Sequence, residues 1–315
     1  MKPAPPVTSS MRRIIASHGA AATVVSAGMR VAVTGASGFI GSSLVPELET
    51  RSHQVLAVPR ESWAIPETFR GSDAVVHLAN ITHVSADENL LQRVNVDSTR
   101  RVAEAAASAG VRRLIYLSSI KASGDETFGR PFDGSETPAP QDAYGRAKCA
   151  AERALVEIAA RTGMEAILVR PPLVYGPRVK AKFLMLMRAV ARGWPLPLGA
   201  IRNRRSLVHV GNLADMIVCC VEARKLGGRT FVVSDRAPVS TPELCRAIGE
   251  ALRRPARLFA VPAGVLELVP GTRALTRSLE VDDSAMRREL GWQPRISFED
   301  GLRRTADWYQ LKCPA

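Results

Sequence analysis

Three side chains, Ser119, Tyr144 and Lys148, have the types and spacing to move the proton that accompanies a hydride transfer. Tyr144 and Lys148 stand four residues apart, so on a helix they share one face. A lysine ammonium beside a phenol lowers the phenol's pKa, and a phenol tuned in this way can exchange a proton with a hydroxyl or ketone. Upstream, Tyr116-Leu117-Ser118-Ser119 closes an apolar run with two hydroxyls. Ser119 is expected to hydrogen-bond the reacting oxygen and stabilise charge developing there, with Ser118 as the alternative.

Hydride transfer needs a carrier, and the chain offers a place for one. Thr34-Gly35-Ala36-Ser37-Gly38-Phe39-Ile40-Gly41 follows the apolar run Val31-Ala32-Val33 and opens a helical stretch. The first glycine permits a tight turn, the second lets backbone amides approach a pyrophosphate, and the third allows close helix–strand packing. The helix N-terminus adds partial positive charge. Gly35, Ser37, Gly38, Phe39, Ile40 and Gly41 are therefore expected to hold a dinucleotide, in the G-x-x-G-x-x-G spacing of short-chain dehydrogenases. The second strand ends Val58-Pro59-Arg60-Glu61. Pro59 stands where an acid would grip a free ribose 2′-hydroxyl, and Arg60 could pair with a 2′-phosphate. NADP is the expected cofactor, with NAD as the alternative kept open by Glu61.

These groups need a scaffold, and the hydrophobic pattern supplies one. Strands at Val31–Val33, Val55–Val58, Ala74–Leu78, Arg113–Leu117 and Ala166–Val169 alternate with helices at 39–50, 94–109 and 144–161. That alternation predicts βαβ units and an α/β fold, a Rossmann doubly wound parallel sheet. After Pro171 the regularity falls away at prolines 171, 172, 177, 195 and 197, and helices resume at 241–252 and 298–310. The expected organisation is a dinucleotide-binding domain at 29–170 and a smaller, mainly substrate-binding lobe at 171–315, with some segments returning to the sheet. Residues 1–28 hold no acid and are rich in Pro, Ala, Ser and Thr. They read as a disordered extension rather than a signal peptide, because His18 and the hydroxyl residues break the apolar centre.

Composition narrows the class. At 46% hydrophobic and 23% charged residues the chain is an ordinary globular one, with no apolar run long enough for a membrane span. Five cysteines (Cys149, Cys219, Cys220, Cys245 and Cys313) without C-x-x-C spacing argue against a disulfide framework or a zinc site. They point to a reducing, cytoplasmic location. The net charge of +13 comes from scattered arginines with no basic run interleaved with aromatics, so an anionic small-molecule substrate is expected rather than nucleic acid. No metal is expected. His77 and His209 read as structural, Cys219-Cys220 as core, and Trp194 as either a pocket cap or a loop anchor.

The glycine turn, His77-Leu78-Ala79, Leu117-Ser118-Ser119, Tyr144 to Lys148, and Arg170-Pro171-Pro172-Leu173-Val174-Tyr175-Gly176-Pro177 occur in this order. Together they resemble the NAD-dependent epimerase/dehydratase family of extended short-chain dehydrogenases, over essentially residues 30–310. The resemblance implies a Rossmann fold, a bound dinucleotide and mostly nucleotide-sugar substrates, and it is compatible with a homodimer. It adds Leu78, Ala79 and Pro171 to the cofactor contacts, alongside Tyr144 and Lys148. It assigns Ser119 and Lys121 to the substrate, Arg205 to its diphosphate, and Arg277 (or Arg273) to a second phosphate contact. Asn95 falls in the helix beneath the active site, and Glu289 to Pro294 matches a structural C-terminal signature.

Departures from the family pattern narrow the chemistry further. Ile120-Lys121 follows Ser119 where sugar dehydratases carry an acidic pair, which argues against water elimination. Leu173 replaces an asparagine before the V-Y-G-P turn, and the short stretch from Arg60 to Asp73 lacks the acid that meets adenine. Ser119-Ile120-Lys121, Arg170 to Phe183 and Pro195 to Asn212 are similar to bacterial enzymes of surface-polysaccharide synthesis. Those enzymes interconvert UDP-4-keto-6-deoxy-N-acetylglucosamine and UDP-N-acetylquinovosamine. The expected activity is thus reduction of the C4 ketone of a UDP-4-keto-6-deoxy-N-acetylhexosamine. A nucleotide-sugar 4-epimerase is the nearest alternative. A non-catalytic NADP sensor is a third, which the retained Tyr144–Lys148 pair disfavours.

Overall fold

A computed structural model describes residues 28–81, 87–235 and 237–312, so the expected N-terminal extension (apart from Gly28) and Cys313 lie outside the described residues. β1 (Arg30–Thr34) runs into the glycine turn and then α1 (Gly41–Thr50), followed by β2 (Gln54–Val58), α2 (Pro66–Phe69) and β3 (Ala74–His77). α3 (Glu88–Leu91), a wide π turn over Gln92–Asp97 and α4 (Ser98–Ser108) form one helical run leading to β4 (Arg113–Leu117). α5 (Ala143–Thr162) and β5 (Glu165–Arg170) complete the first half. The sequence places one regular helix at 94–109. The structure instead puts Asn95 in the π turn, a distortion common near functional sites.

The sheet runs β2-β1-β3-β4-β5, and every pair is parallel. The central strands β3 and β4 are buried at every residue, as a sheet covered on both faces requires. β2 and β3 lie on opposite sides of β1, which opens a crevice outside its carboxyl end. Asp142 caps α5 by accepting the Gly145 N–H at 2.7 Å, and Gly163 (φ 77°) stops the helix in the left-handed region. This fixes where Tyr144 and Lys148 begin.

Beyond Pro171 come β6 (Leu173–Tyr175), α6 (Ala181–Ala191), β7 (Leu207–His209), α7 (Val210–Glu222) and β8 (Thr230–Val232). α8 (Thr241–Ala251), α9 (Ala263–Leu266), α10 (Arg273–Thr276), α11 (Ser284–Leu290) and α12 (Phe298–Lys312) follow. The expectation of lost regularity overlooks α6, whose start carries no capping side chain to announce it. β8 joins the main sheet beside β5, and α7 packs on α1, so 210–232 belongs largely to the dinucleotide-binding body. The lobe is built on a separate apolar core in which Phe183, Met187, Leu244, Ile248, Leu302 and Tyr309 join α6, α8 and α12. β6 and β7 form its two-stranded parallel sheet. No described helix is long and apolar enough to cross a membrane.

Candidate active site

The glycine turn lies at the crevice. Gly35 has φ 73°, and a Cβ there would sit 2.9 Å from the Ala79 nitrogen, so the turn after β1 and the Leu78-Ala79 turn after β3 press together. A methyl on Gly41 would run into the carbonyl oxygens of Gly35 and Ala36. Ser37 and Gly38 are exposed on the open side. Phe39 packs toward the lobe core and Ile40 toward the sheet core. Among the described residues the N–H groups of Phe39 and Ile40 donate to no acceptor. Free amides at a helix N-terminus, approached by a turn without side chains, fit a dinucleotide pyrophosphate. Arg60 is exposed at the carboxyl end of β2, its guanidinium 5.8 Å from the Trp63 ring centroid.

The carboxyl end of β4 meets the start of α5. Ser119 is half-buried, and its hydroxyl accepts the Lys121 N–H at 3.2 Å. Burial pushes the Tyr144 phenol well above its ordinary pKa, and a hydrogen bond with Ser119 pulls it part of the way back. Ser118, by contrast, is 3% exposed, and its hydroxyl has no hydrogen-bond partner among the described residues. Lys148 is fully buried, its ammonium 5.9 Å from the Tyr144 ring centroid. It donates to the Leu117 carbonyl at 2.7 Å and the Tyr116 hydroxyl at 3.1 Å. Burial lowers its pKa to about 7, against the opposing pull of Glu152. Pro171 is buried beside them, its carbonyl accepting the Ile120 N–H at 3.0 Å.

Three cations gather round the loop that follows Ser119, and they are not equivalent. Lys121 donates to Asp125 at 2.7 Å and Asp142 at 3.0 Å. Arg277 is ion-paired with Glu267 and has Glu126 at 3.7 Å. Arg205 has no carboxylate within ion-pair distance among the described residues, and it donates to the Arg277 carbonyl at 3.2 Å. Burial lowers its pKa to about 10, with Asp125 pulling the other way. Of the three, Arg205 alone lacks an ion pair among the described residues. Lys121 and Arg277, also expected to contact substrate, are held by carboxylates in this structure. Arg273 is exposed on α10. Beside Arg277, Lys182, Leu186, Leu198, Leu275 and Thr276 line an apolar cavity of about 360 Å³, within the range of small-molecule sites.

Asn95 grips the turn after β3, accepting the Ile81 N–H at 2.9 Å and donating to the Ile81 carbonyl at 3.0 Å. His77 is fully buried and held near a pKa of 3 by burial and then by the charge of Lys148. His209 accepts the Gly211 N–H at 3.1 Å as the cap of α7. Trp194 is 53% exposed, with Arg192 over its ring at 5.3 Å. Sequence reasoning missed Asp125, Asp142 and Tyr116. Asp142 had a legible signal, an acid two residues before Tyr144 at a helix start.

A parallel doubly wound sheet, a glycine turn shaped for pyrophosphate, and a serine, tyrosine and lysine at the carboxyl edge define a dinucleotide-binding oxidoreductase fold and site. Residues 31–234 match the model of the NAD dependent epimerase/dehydratase family. The chain belongs to that family and is an enzyme of the short-chain dehydrogenase/reductase type. It is 36% identical to a UDP-glucose 4-epimerase of Vibrio cholerae over 308 residues, 88% of this chain and 94% of that protein. Among solved structures, the UDP-glucose 4-epimerase of Thermus thermophilus in complex with NAD superimposes with a TM-score of 0.74. It is 25% identical and covers 90% of this chain and 99% of its own. MoeE5 in complex with UDP-glucose and NAD gives a TM-score of 0.75 at the same identity and coverage.

Proposed function

We propose that this enzyme interconverts a UDP-hexose and its C4 epimer with a retained NAD, UDP-glucose being the first substrate to test. The 36% identical relative is a UDP-glucose 4-epimerase, and this puts epimerisation ahead of the 4-keto reduction that the sequence first suggests. The observation that carries the reading is the pairing of two sites: an acid–base hydroxyl pair on β4 and α5, and the unpaired Arg205 across the loop from it. A nicotinamide dinucleotide on the glycine turn supplies the group that takes up the C4 hydride and returns it. Ser119 holds the C4 oxygen. Tyr144, as the phenolate, takes the proton of the C4 hydroxyl as the ketone forms and returns it to the same oxygen once C4 has inverted. Lys148 keeps positive charge beside that phenol. Arg205 anchors the diphosphate while the sugar turns over, and the apolar cavity takes the uracil end.

The test is incubation with UDP-glucose and no added cofactor, following UDP-galactose by its anomeric proton, with bound dinucleotide released and identified. Product formation with bound NAD, lost in Tyr144→Phe by a factor of roughly 10²–10⁴, supports the proposal. A second reading keeps the reductase acting on a UDP-4-keto-6-deoxy-N-acetylhexosamine with NADPH. One feature favours it: Arg60, exposed and without a carboxylate partner among the described residues, stands where a 2′-phosphate would lie. Oxidation of NADPH by that ketone, with no epimerisation of UDP-glucose or UDP-N-acetylglucosamine, overturns the first reading in its favour.

A further inference from the structure

Lys148 rests on a buried string of hydroxyls and one imidazole that the steps above do not use. Thr34 ends β1, His77 ends β3, Thr99 lies in α4 and Tyr116 in β4, and none is more than 1% exposed. Counting protons settles the direction of four of its bonds. An ammonium can only donate, so the Tyr116 oxygen accepts from Lys148 at 3.1 Å. Thr99 is the side-chain neighbour of the Tyr116 hydroxyl. Thr99 gives its own hydrogen to the Asn95 carbonyl at 2.7 Å, which leaves Oγ1 to accept from His77 Nε2 at 3.0 Å. His77 therefore carries its hydrogen on Nε2, and its Nδ1 accepts from the Thr34 hydroxyl at 2.6 Å. The imidazole stays neutral, so the string carries no charge of its own.

We propose that Tyr116, oriented by this string, is a positioning residue for Lys148: its hydroxyl aims the ammonium and favours the charged form. The inference rests on the assignment of Lys148 to catalysis. With Tyr116 and the Leu117 carbonyl taking two N–H groups, one N–H remains for the cofactor ribose. The groups facing Lys148 narrow the source of that preference. β3 offers the neutral His77 and α4 the neutral Thr99. From its own helix come Tyr144 and Glu152; Glu152 also favours the charged form, from a carboxylate that is bonded to Arg170 at 2.9 and 2.6 Å. A tyrosine present only to fill the core would account for the ring, stacked on His77 at 5.7 Å, but not for a hydroxyl aimed at an ammonium.

Tyr116→Phe keeps the ring and removes the hydroxyl. A hydroxyl that accepts from an ammonium favours the protonated form, so its loss lowers the Lys148 pKa, by about one unit. The protein has seven lysines. With carbon-labelled lysine their titrations can be followed by NMR, and Lys148→Met identifies the signal that matters. The expected result is a Lys148 midpoint about one unit lower in Tyr116→Phe, and a smaller shift the same way in Thr99→Val. The alkaline limb of kcat should move down with it, while KM for the UDP-sugar stays unchanged. An unmoved Lys148 midpoint in Tyr116→Phe overturns the inference. The titration needs no substrate, so a wild type inactive on UDP-sugars sinks the proposed function without deciding this question.

Discussion

Arg205 is the residue whose replacement should improve the protein and disable it in one step. Its side chain is half-buried without a carboxylate ion pair among the described residues, and desolvation lowers its pKa from 12.5 to about 10. Near neutral pH a depression of that size corresponds to at most roughly 3 kcal/mol of folding free energy spent on desolvation. Arg205→Met keeps the aliphatic stem, removes the charge, and should recover roughly 1–3 kcal/mol in the nucleotide-free protein. For a chain of this size that raises Tm by about 2–4 °C per kcal/mol. On the proposed role, the same change removes a charge-assisted contact to the diphosphate worth roughly 1.5–3 kcal/mol, or about 10- to 150-fold in UDP affinity. Scanning calorimetry without nucleotide, paired with titration of UDP, reads both effects. A variant that melts at or below the wild type shows that Arg205 is a satisfied structural residue. Unchanged UDP affinity removes it from the site. Either result refutes the reasoning, because it requires the desolvation cost and the anion contact to belong to the same group.

Two further outcomes follow from the same geometry. Gly41→Ala forces a methyl against the Gly35 and Ala36 carbonyls, so purified protein should carry little or no dinucleotide, measured per chain after acid release. Normal cofactor content in that variant would mean the turn does not hold the pyrophosphate. Arg170→Met strands Glu152, which is 4% exposed and bonded to Arg170 at 2.9 and 2.6 Å, and should cost roughly 3–5 kcal/mol in urea denaturation. Adding Glu152→Met should recover most of that loss. A double variant as unstable as the single one would locate the cost elsewhere.

Some of this molecule follows from residues close together in the chain. The glycine turn and the Tyr144–Lys148 pair were legible because their geometry is local: the turn and the helix face are set by spacings of three and four residues. The strand–helix alternation up to Arg170 was legible for the same reason, and β4 is found at the residues the pattern predicts. α6 was not, because it starts without a capping residue, and the distant segments that bury its face leave no mark inside it. A return of some later segment to the sheet was expected, but not that it is β8, since a three-residue strand gains its identity from the β5 edge beside it.

At the site the division is sharper. The family resemblance assigns Lys121 to the substrate, Arg205 to its diphosphate and Arg277 to a second phosphate contact, and says nothing of their ion pairs. Folding brings Asp125 and Asp142 to the first and Glu267 to the third, and leaves the second bare among the described residues. Tyr116 is the same lesson in reverse. It stands in an apolar strand and is buried there, yet its hydroxyl accepts from Lys148 of α5. Sequence by itself determined which groups exist and which near neighbours share a face. The tertiary structure decided which charges are already neutralised and which remain to bind, because a partner brought from a distant segment leaves no trace in local spacing.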